Sequence, residues 1–330
     1  MFFRDLEYKL HKSPIHMKKG IEMRKYLYTG LVVLAALLAF SCGTTEFTNP
    51  NNPNVNPDAN LLFGSDDSFD VVTWNLRTFP LADPATSELL ALIIPKLKVD
   101  VIACQEIMSY GDFIELAEMI PHFEARVSNV SNSYLLAYLY DTRTVEVNSD
   151  YAIFLNDSNP FPRPPHVMDL NFNGHNVFLI NNHLKAFGDN YIDEDDPWDE
   201  EYRRRTACRK LDQYIASNLG DEKVIVLGDM NDQIAEPAEY NVFLSFLDKP
   251  QEYLFTDMHI ALNPNYSNVS YPPMVSHIDH ILISNELFPA WHSSGSSCRV
   301  IKVEDWFGNW ASYSNQISDH RPLGLRIPLD

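Results

Sequence analysis

The chain has 330 residues, with 25 Lys+Arg against 45 Asp+Glu (net charge −20), four Cys, 45% hydrophobic and 12% aromatic residues. That is enough apolar material for a large core and excludes global disorder, while four Cys at 42, 104, 208 and 298, with no CxxC, give neither a disulfide scaffold nor a structural zinc pattern. The acidic balance argues against a broad basic nucleic-acid platform, although a metal ion and a few local Arg can hold a phosphate on an acidic protein.

Lys18, Lys19, Arg24 and Lys25 precede the apolar run Leu31–Phe40, which is too short for a membrane span of about 20 residues but suits an export signal. The following Leu38-Ala39-Phe40-Ser41-Cys42-Gly43 resembles a bacterial lipobox, with Ala39 where Leu is usual, so residues 1–42 are expected to be a signal peptide and Cys42 a lipid anchor. Met23 also begins a conventional signal and is an alternative start. Residues 43–67 are rich in Asn, Pro and Thr without periodicity and read as a flexible tether to a folded domain over 68–330. Beyond residue 42 the chain carries 18 Lys+Arg against 42 Asp+Glu, a net charge of −24. The expected protein is exported and held at the cell envelope by its lipid alone, with no protein partner evident.

From Ser68 onward, short β-rich runs alternate with amphipathic stretches. Strands are expected at Phe69–Leu76, Asp100–Ile107, Tyr151–Leu155, His166–Asn171, Asn176–Asn182, Lys223–Leu227, His277–Ile283 and Pro322–Ile327. Tyr134–Tyr140 and Thr144–Asn148 read as a strand pair joined at Asp141–Arg143. Helical spacing runs through Ser87–Lys98, where Pro95 should end or kink the helix, and through Tyr202–Asn218. Many strands, few long helices and no Gly-rich βα turn point away from a Rossmann fold and toward two packed mixed sheets with helices outside, a four-layer α/β sandwich.

Polar residues recur at or near strand ends: Asn75, Glu106, His183, Asp229, Asn231, Asp279, Asp319 and His320. Singly, each reads as a turn former or a packed polar group. As an ordered set they say more. TWNLR (73–77), CQE (104–106), NNHLKA (181–186), LGDMND (227–232), SHIDHIL (276–282) and SDHRP (318–322) resemble the motifs of the endonuclease/exonuclease/phosphatase superfamily, in family order over about 250 residues. The resemblance implies a DNase I-like sandwich and a metal-dependent phosphoesterase. It implies Glu106, Asn75 and Asp319 as metal ligands, with Asn75 alternatively an amide donor to phosphate. Asp229 would activate water, Asn231 would hold the nucleophile, and His183 would stabilise phosphate or protonate the leaving group. His320 would contact phosphate or act in proton transfer, with Asp279 fixing its tautomer and raising its pKa, and Lys185 could add a phosphate contact. Mg²⁺ is the expected ion, with Mn²⁺ a possible substitute; Ca²⁺ is left open.

A nuclease is the first expectation for substrate, with small or lipid phosphate esters, or a non-catalytic surface-binding protein, as alternatives. Ile107 and Met108 follow Glu106, where deoxyribonuclease-type relatives often carry a basic residue, which weighs against duplex DNA. Asp193–Glu201 (DEDDPWDEE) could bind Ca²⁺ but lacks EF-hand spacing, so a solvated loop is expected there; of the neighbouring Arg203, Arg204, Arg205, Arg209 and Lys210, several are expected to pair with its acids and one or two could face substrate phosphate. Of the two histidines flanking Asp279, His277 shares its face and is expected beside the site, with His280 pointing away. Cys104 and Cys208 read as packing thiols.

Overall fold

The computed structural model describes residues 55, 56 and 58–329. The expected signal, lipobox and Cys42 anchor lie outside them, and among the described residues no helix is long and apolar enough to cross a membrane. Among the described residues, twelve strands form two six-stranded sheets. One has the order β11(Ser297–Val300)-β12(Leu323–Ile327)-β1(Phe69–Phe79)-β2(Val101–Ile107)-β4(Leu135–Asp141)-β3(Phe123–Val127). The other has the order β5(Val145–Ala152)-β6(His166–Phe172)-β7(His175–His183)-β8(Lys223–Asp229)-β10(Asp279–Ser284)-β9(Tyr253–Phe255). Each sheet is mixed, with one parallel pair, β1–β2 or β7–β8, at its centre.

The central strands are apolar on both faces because each sheet is covered twice. In β1, Phe69 and Val71 face the opposite sheet while Val72, Trp74 and Leu76 face the helices; in β8, Ile225 and Leu227 face inward and Val224 and Val226 outward. Helices α1(Ala85–Leu97) and α2(Tyr110–Glu118) cover the first sheet, and α3(Glu200–Asn218) covers the second through Ala207, Cys208, Leu211 and Ile215. The result is the expected four-layer sandwich.

Three local expectations change. First, β4 and the strand after it do not pair: β4 joins β2 and β3, whereas β5 crosses to the other sheet and pairs β6. Asp141–Thr144 is a turn between layers rather than a hairpin, and the two segments expected at 144–148 and 151–155 are one strand with an irregularity between Val147 and Ser149. Second, α1 runs two residues past Pro95 and ends with Lys98 in the left-handed region (φ 55°). Proline removes one backbone donor, which the last turn tolerates better than the middle. Third, packing begins before residue 68. Leu61 and Phe63 are buried in the core, and the Phe63 and Gly64 amides both donate to the Leu97 carbonyl at the end of α1 (3.1 and 2.9 Å).

Candidate active site

Strand register assembles the site. In the second sheet, parallel pairing sets His183 beside Asp229 and antiparallel pairing sets Asp279 opposite Asp229, so three motif residues stand side by side at one sheet end. Gly228 makes this possible: its φ is +145°, and a Cβ there would lie 2.0 Å from the Asn182 carbonyl oxygen of the adjacent strand. In the first sheet Asn75 pairs with Gln105, and the register breaks directly afterwards, with Glu106 in the left-handed region (φ 62°). This irregularity re-aims the Glu106 carboxylate, the usual use of a bulge beside a site. Arg77, Thr78 and Asn231 also have positive φ, so strained backbone gathers here.

The two sheets are tied beneath the site by polar groups. Gln105 Nε2 donates to Asn181 Oδ1 (2.7 Å) and Thr73 Oγ1 (3.0 Å), and Asn181 Nδ2 donates back to the Cys104 carbonyl (3.0 Å). Above them, Asn75 Nδ2 donates to Asp229 Oδ2 (2.9 Å) and Glu106 Oε1 (3.2 Å). One amide therefore bridges carboxylates from different sheets. The Thr78 amide donates to Glu106 Oε2 (2.9 Å), and the Asn231 amide to Asp229 Oδ1 (3.1 Å). His183 Nε2 lies 3.5 Å from Asp229 Oδ2 and 4.0 Å from Glu106 Oε1.

His320 arrives from the loop before β12. Its Nδ1 donates to Asp279 Oδ2 (2.8 Å) and its Nε2 stands 3.9 Å from Asp229 Oδ2 without a hydrogen bond. Ser318 pins this loop by donating to the Asn75 carbonyl (2.6 Å) and accepting from the His320 amide (2.9 Å); the Tyr313 hydroxyl donates to the His320 carbonyl. The Tyr271 ring packs 4.8 Å from the imidazole. Burial opposes a charge on His320, but Asp279, then Asp229, outweigh it and push its pKa up to about 10. Burial raises Asp229 to about 6, against the pull of His320. Burial, then the charges of Arg163 and His320, hold His183 well below its ordinary value, so it is neutral.

Asn75, Glu106, His183, Asp229, Asn231, Asp279 and His320 are thus brought together. Asp319 lies at the rim, 25% exposed and 3.7 Å from Arg77 Nε. Lys185 does not join the cluster: its ammonium lies 3.2 Å from Glu200 and donates to the Ala186 carbonyl. Asn75 fits the donor role better than the ligand role, because its Oδ1 accepts from the Arg77 amide (2.8 Å). His277 is not a site neighbour; both it and His280 bond Asp257. Sequence reading missed Arg163, whose guanidinium acts electrostatically on Asp229, Glu106 and His183 while Nη1 donates to the Leu184 carbonyl (3.1 Å). Its only signal was an Arg between prolines.

Glu106 fits a hard cation. It is 20% exposed on its side chain, and each oxygen accepts one hydrogen bond, leaving lone pairs free. Asp229, Asp279 and His320 also converge within ligand distances, but His320 Nδ1 carries the proton given to Asp279, so that trio is a hydrogen-bonded chain rather than a metal cage.

The model of the "Endonuclease/Exonuclease/phosphatase family" matches residues 72–320. No curated protein matches at a significant level. Among solved structures, the chain resembles the human Nocturnin catalytic domain with bound sulfate (16% identity, 79% of this chain and 94% of that one, TM-score 0.57). It also resembles D. rerio TDP2 complexed with single-strand DNA product (14%, 80% and 100%, TM-score 0.57) and an endonuclease/exonuclease/phosphatase from Bacteroides vulgatus (13%, 80% and 99%, TM-score 0.55). At these identities the likeness establishes the fold, the DNase I-like sandwich.

Proposed function

Because the chain belongs to the endonuclease/exonuclease/phosphatase family and is a phosphoester hydrolase, we propose that it is a Mg²⁺-dependent nuclease acting outside the cytoplasm. The observation that carries this reading is the meeting of Glu106, Asn75 and Asp229 with the Asp279–His320 pair, whose outer nitrogen is unbonded. A divalent cation held by Glu106, with Asp319 at the rim, would polarise phosphoryl oxygen and offset charge on the leaving oxygen. Asp229, ionised above about pH 6, accepts a proton from water positioned by Asn231. The His320 imidazolium presents Nε2–H to a phosphoryl oxygen, while Asp279 holds the ring. His183, neutral, is available to the leaving group as a hydrogen-bond donor.

Export and anchoring at Cys42 rest on the sequence of residues 18–43 and are tested by Cys42→Ser, which should leave the membrane fraction; unchanged retention would contradict them. Substrate is tested with DNA, RNA, phosphomonoesters and lipid phosphodiesters in Mg²⁺ and then in excess EDTA. Nucleic acid turnover that EDTA abolishes is expected, and full turnover in EDTA would overturn the reading. A small or lipid phosphate ester is the second reading. It is favoured by how few cations attend the cluster: Arg77 through Asp319, Arg163 through Asp229 and Glu106, with Lys185 taken by Glu200. A polyanion held by several cations gives a steep salt dependence, a small ester a shallow one.

A further inference from the structure

The loop that leaves His183 returns to the helical layer at α3, and three carboxylates converge where it lands. One oxygen from each of Asp189, Asp199 and Glu201 lies within 4.8 Å of the other two. Two oxygens on one Ca²⁺, each at 2.3–2.6 Å, stand at most about 5 Å apart, so this spacing fits a shared ion. Convergence of acids alone would be ordinary for so acidic a loop. What distinguishes this place is Glu201, which is 1% exposed and has an Oε2 with no hydrogen-bond partner.

The surroundings do not supply the missing partner. Glu201 Oε1 accepts from the Asn190 amide (2.7 Å) and lies 3.1 Å from Arg204 Nη2. Arg204 is shared: its Nε donates to Asp232 (2.7 Å) and its Nη1 to the Lys185 and Phe187 carbonyls (2.7 and 2.6 Å). Asp189 and Asp199 each use Oδ1 to accept a backbone amide, from Tyr191 (3.0 Å) and Tyr202 (2.7 Å), which leaves each a second oxygen. Gly188 (φ +125°) closes over the Glu201 carboxylate so tightly that a Cβ there would lie 2.1 Å from Oε1 and 2.5 Å from Oε2. The backbone of the exposed Gly188 therefore packs against this buried carboxylate, with the exposed Asp189 next to it in the chain.

We propose that Asp189, Asp199 and Glu201 form a Ca²⁺ site distinct from the catalytic cluster. An all-carboxylate set without thiol or imidazole selects a hard cation, and ligands borne partly on a loop, with room for water, suit Ca²⁺ better than the stricter octahedron of Mg²⁺. The ion joins the loop at Asp189 to the cap and first turn of α3, and so orders the segment from Lys185 to Asn190, including Phe187, which is 86% exposed. Arg204, held by Glu201, reaches Asp232 beside Asn231, so the same ion stiffens the edge of the catalytic cluster.

The test uses the whole protein carrying Glu106→Gln, which removes the catalytic carboxylate offered to a metal. Tb³⁺ emission under aromatic excitation, and thermal melting with Ca²⁺ or Mg²⁺, are the readouts. Saturable Tb³⁺ emission displaced by Ca²⁺ with a Kd of roughly 10⁻⁴–10⁻³ M is expected, far less readily by Mg²⁺, together with a Ca²⁺-dependent rise in Tm of about 3–8 °C. Adding Asp189→Asn or Asp199→Asn should weaken Ca²⁺ about tenfold or more while preserving the turn and cap bonds their side chains accept. Absence of Ca²⁺-dependent emission and Tm shift in Glu106→Gln would overturn the site, as would an unchanged response in both Asn variants.

Discussion

Two buried carboxylate–imidazole networks lie on either side of one strand, and they differ in whether every ring nitrogen is bonded. Asp257 bonds two rings. His280 donates from Nδ1 to Asp257 (2.6 Å) and from Nε2 to the Asp232 carbonyl (2.8 Å), so it is an imidazolium with both protons committed. His277 donates from Nε2 to Asp257 (3.0 Å) and accepts the Ser270 amide at Nδ1 (3.3 Å), so it is neutral and also fully used. In the Asp279–His320 pair the chain is open at both ends: Nε2 is unbonded and Asp279 Oδ1 has no partner. Residue type and burial are the same in both places. A site is marked by valence that the fold leaves open, and a structural network by valence that it closes.

Exchanging the carboxylates should separate the two. Asp279→Asn is expected to lower turnover about 10²–10⁴-fold, the range of an acid–base element. In the wild type, activity should rise as Asp229 ionises near pH 6 and fall as His320 loses its proton near pH 10. Without the Asp279 charge the alkaline limb should move down toward the ordinary imidazole value of about 6.5. Asp257→Asn should instead unfold the protein more easily, by about 3–5 kcal/mol in denaturant melts, because it leaves a buried imidazolium without its partner. Folded His280 has a raised pKa and Asp257 a lowered one, each set against the penalty of burial by the pairing itself. The stabilisation is therefore complete between about pH 3.9 and 6.5, is lost as pH rises through the folded His280 value, and is lost as pH falls through the folded Asp257 value. The gap between wild type and Asp257→Asn should narrow on either side of that window. The smallest effect is expected at Lys185→Ala, under about threefold on kcat/KM, since its ammonium pairs with Glu200 at the surface.

The sequence announced the site more clearly than the sheets. Asp229, Asp279 and His320 sit in short motifs whose order was readable; strand register then aligned the first two, and the loop pinned by Ser318 brought in the third. The sorting of β4 and β5 into different sheets was not readable, because Asp141–Arg143 has the polar composition of any tight turn and register is a nonlocal property. Leu61 and Phe63 were hidden by the polar residues around them, and their burial depends on the end of α1 at Leu97, more than thirty positions away. The roles of His277 and His280 turned on Asp257, twenty or more residues distant, so strand alternation alone could not assign them. Arg163 was silent for the same reason, its relation to Asp229 being set entirely by the tertiary fold.

In the proposed mechanism Asp279 and His320 act as one catalytic unit whose open nitrogen serves the phosphate. Measuring kcat/KM for Asp279→Asn, His320→Ala and the double variant tests it most directly. The double variant should be no more than about twofold worse than His320→Ala alone, because Asp279 acts only through the ring it holds. Effects that multiply in the double variant would show two independent contributions and rule out a single catalytic unit.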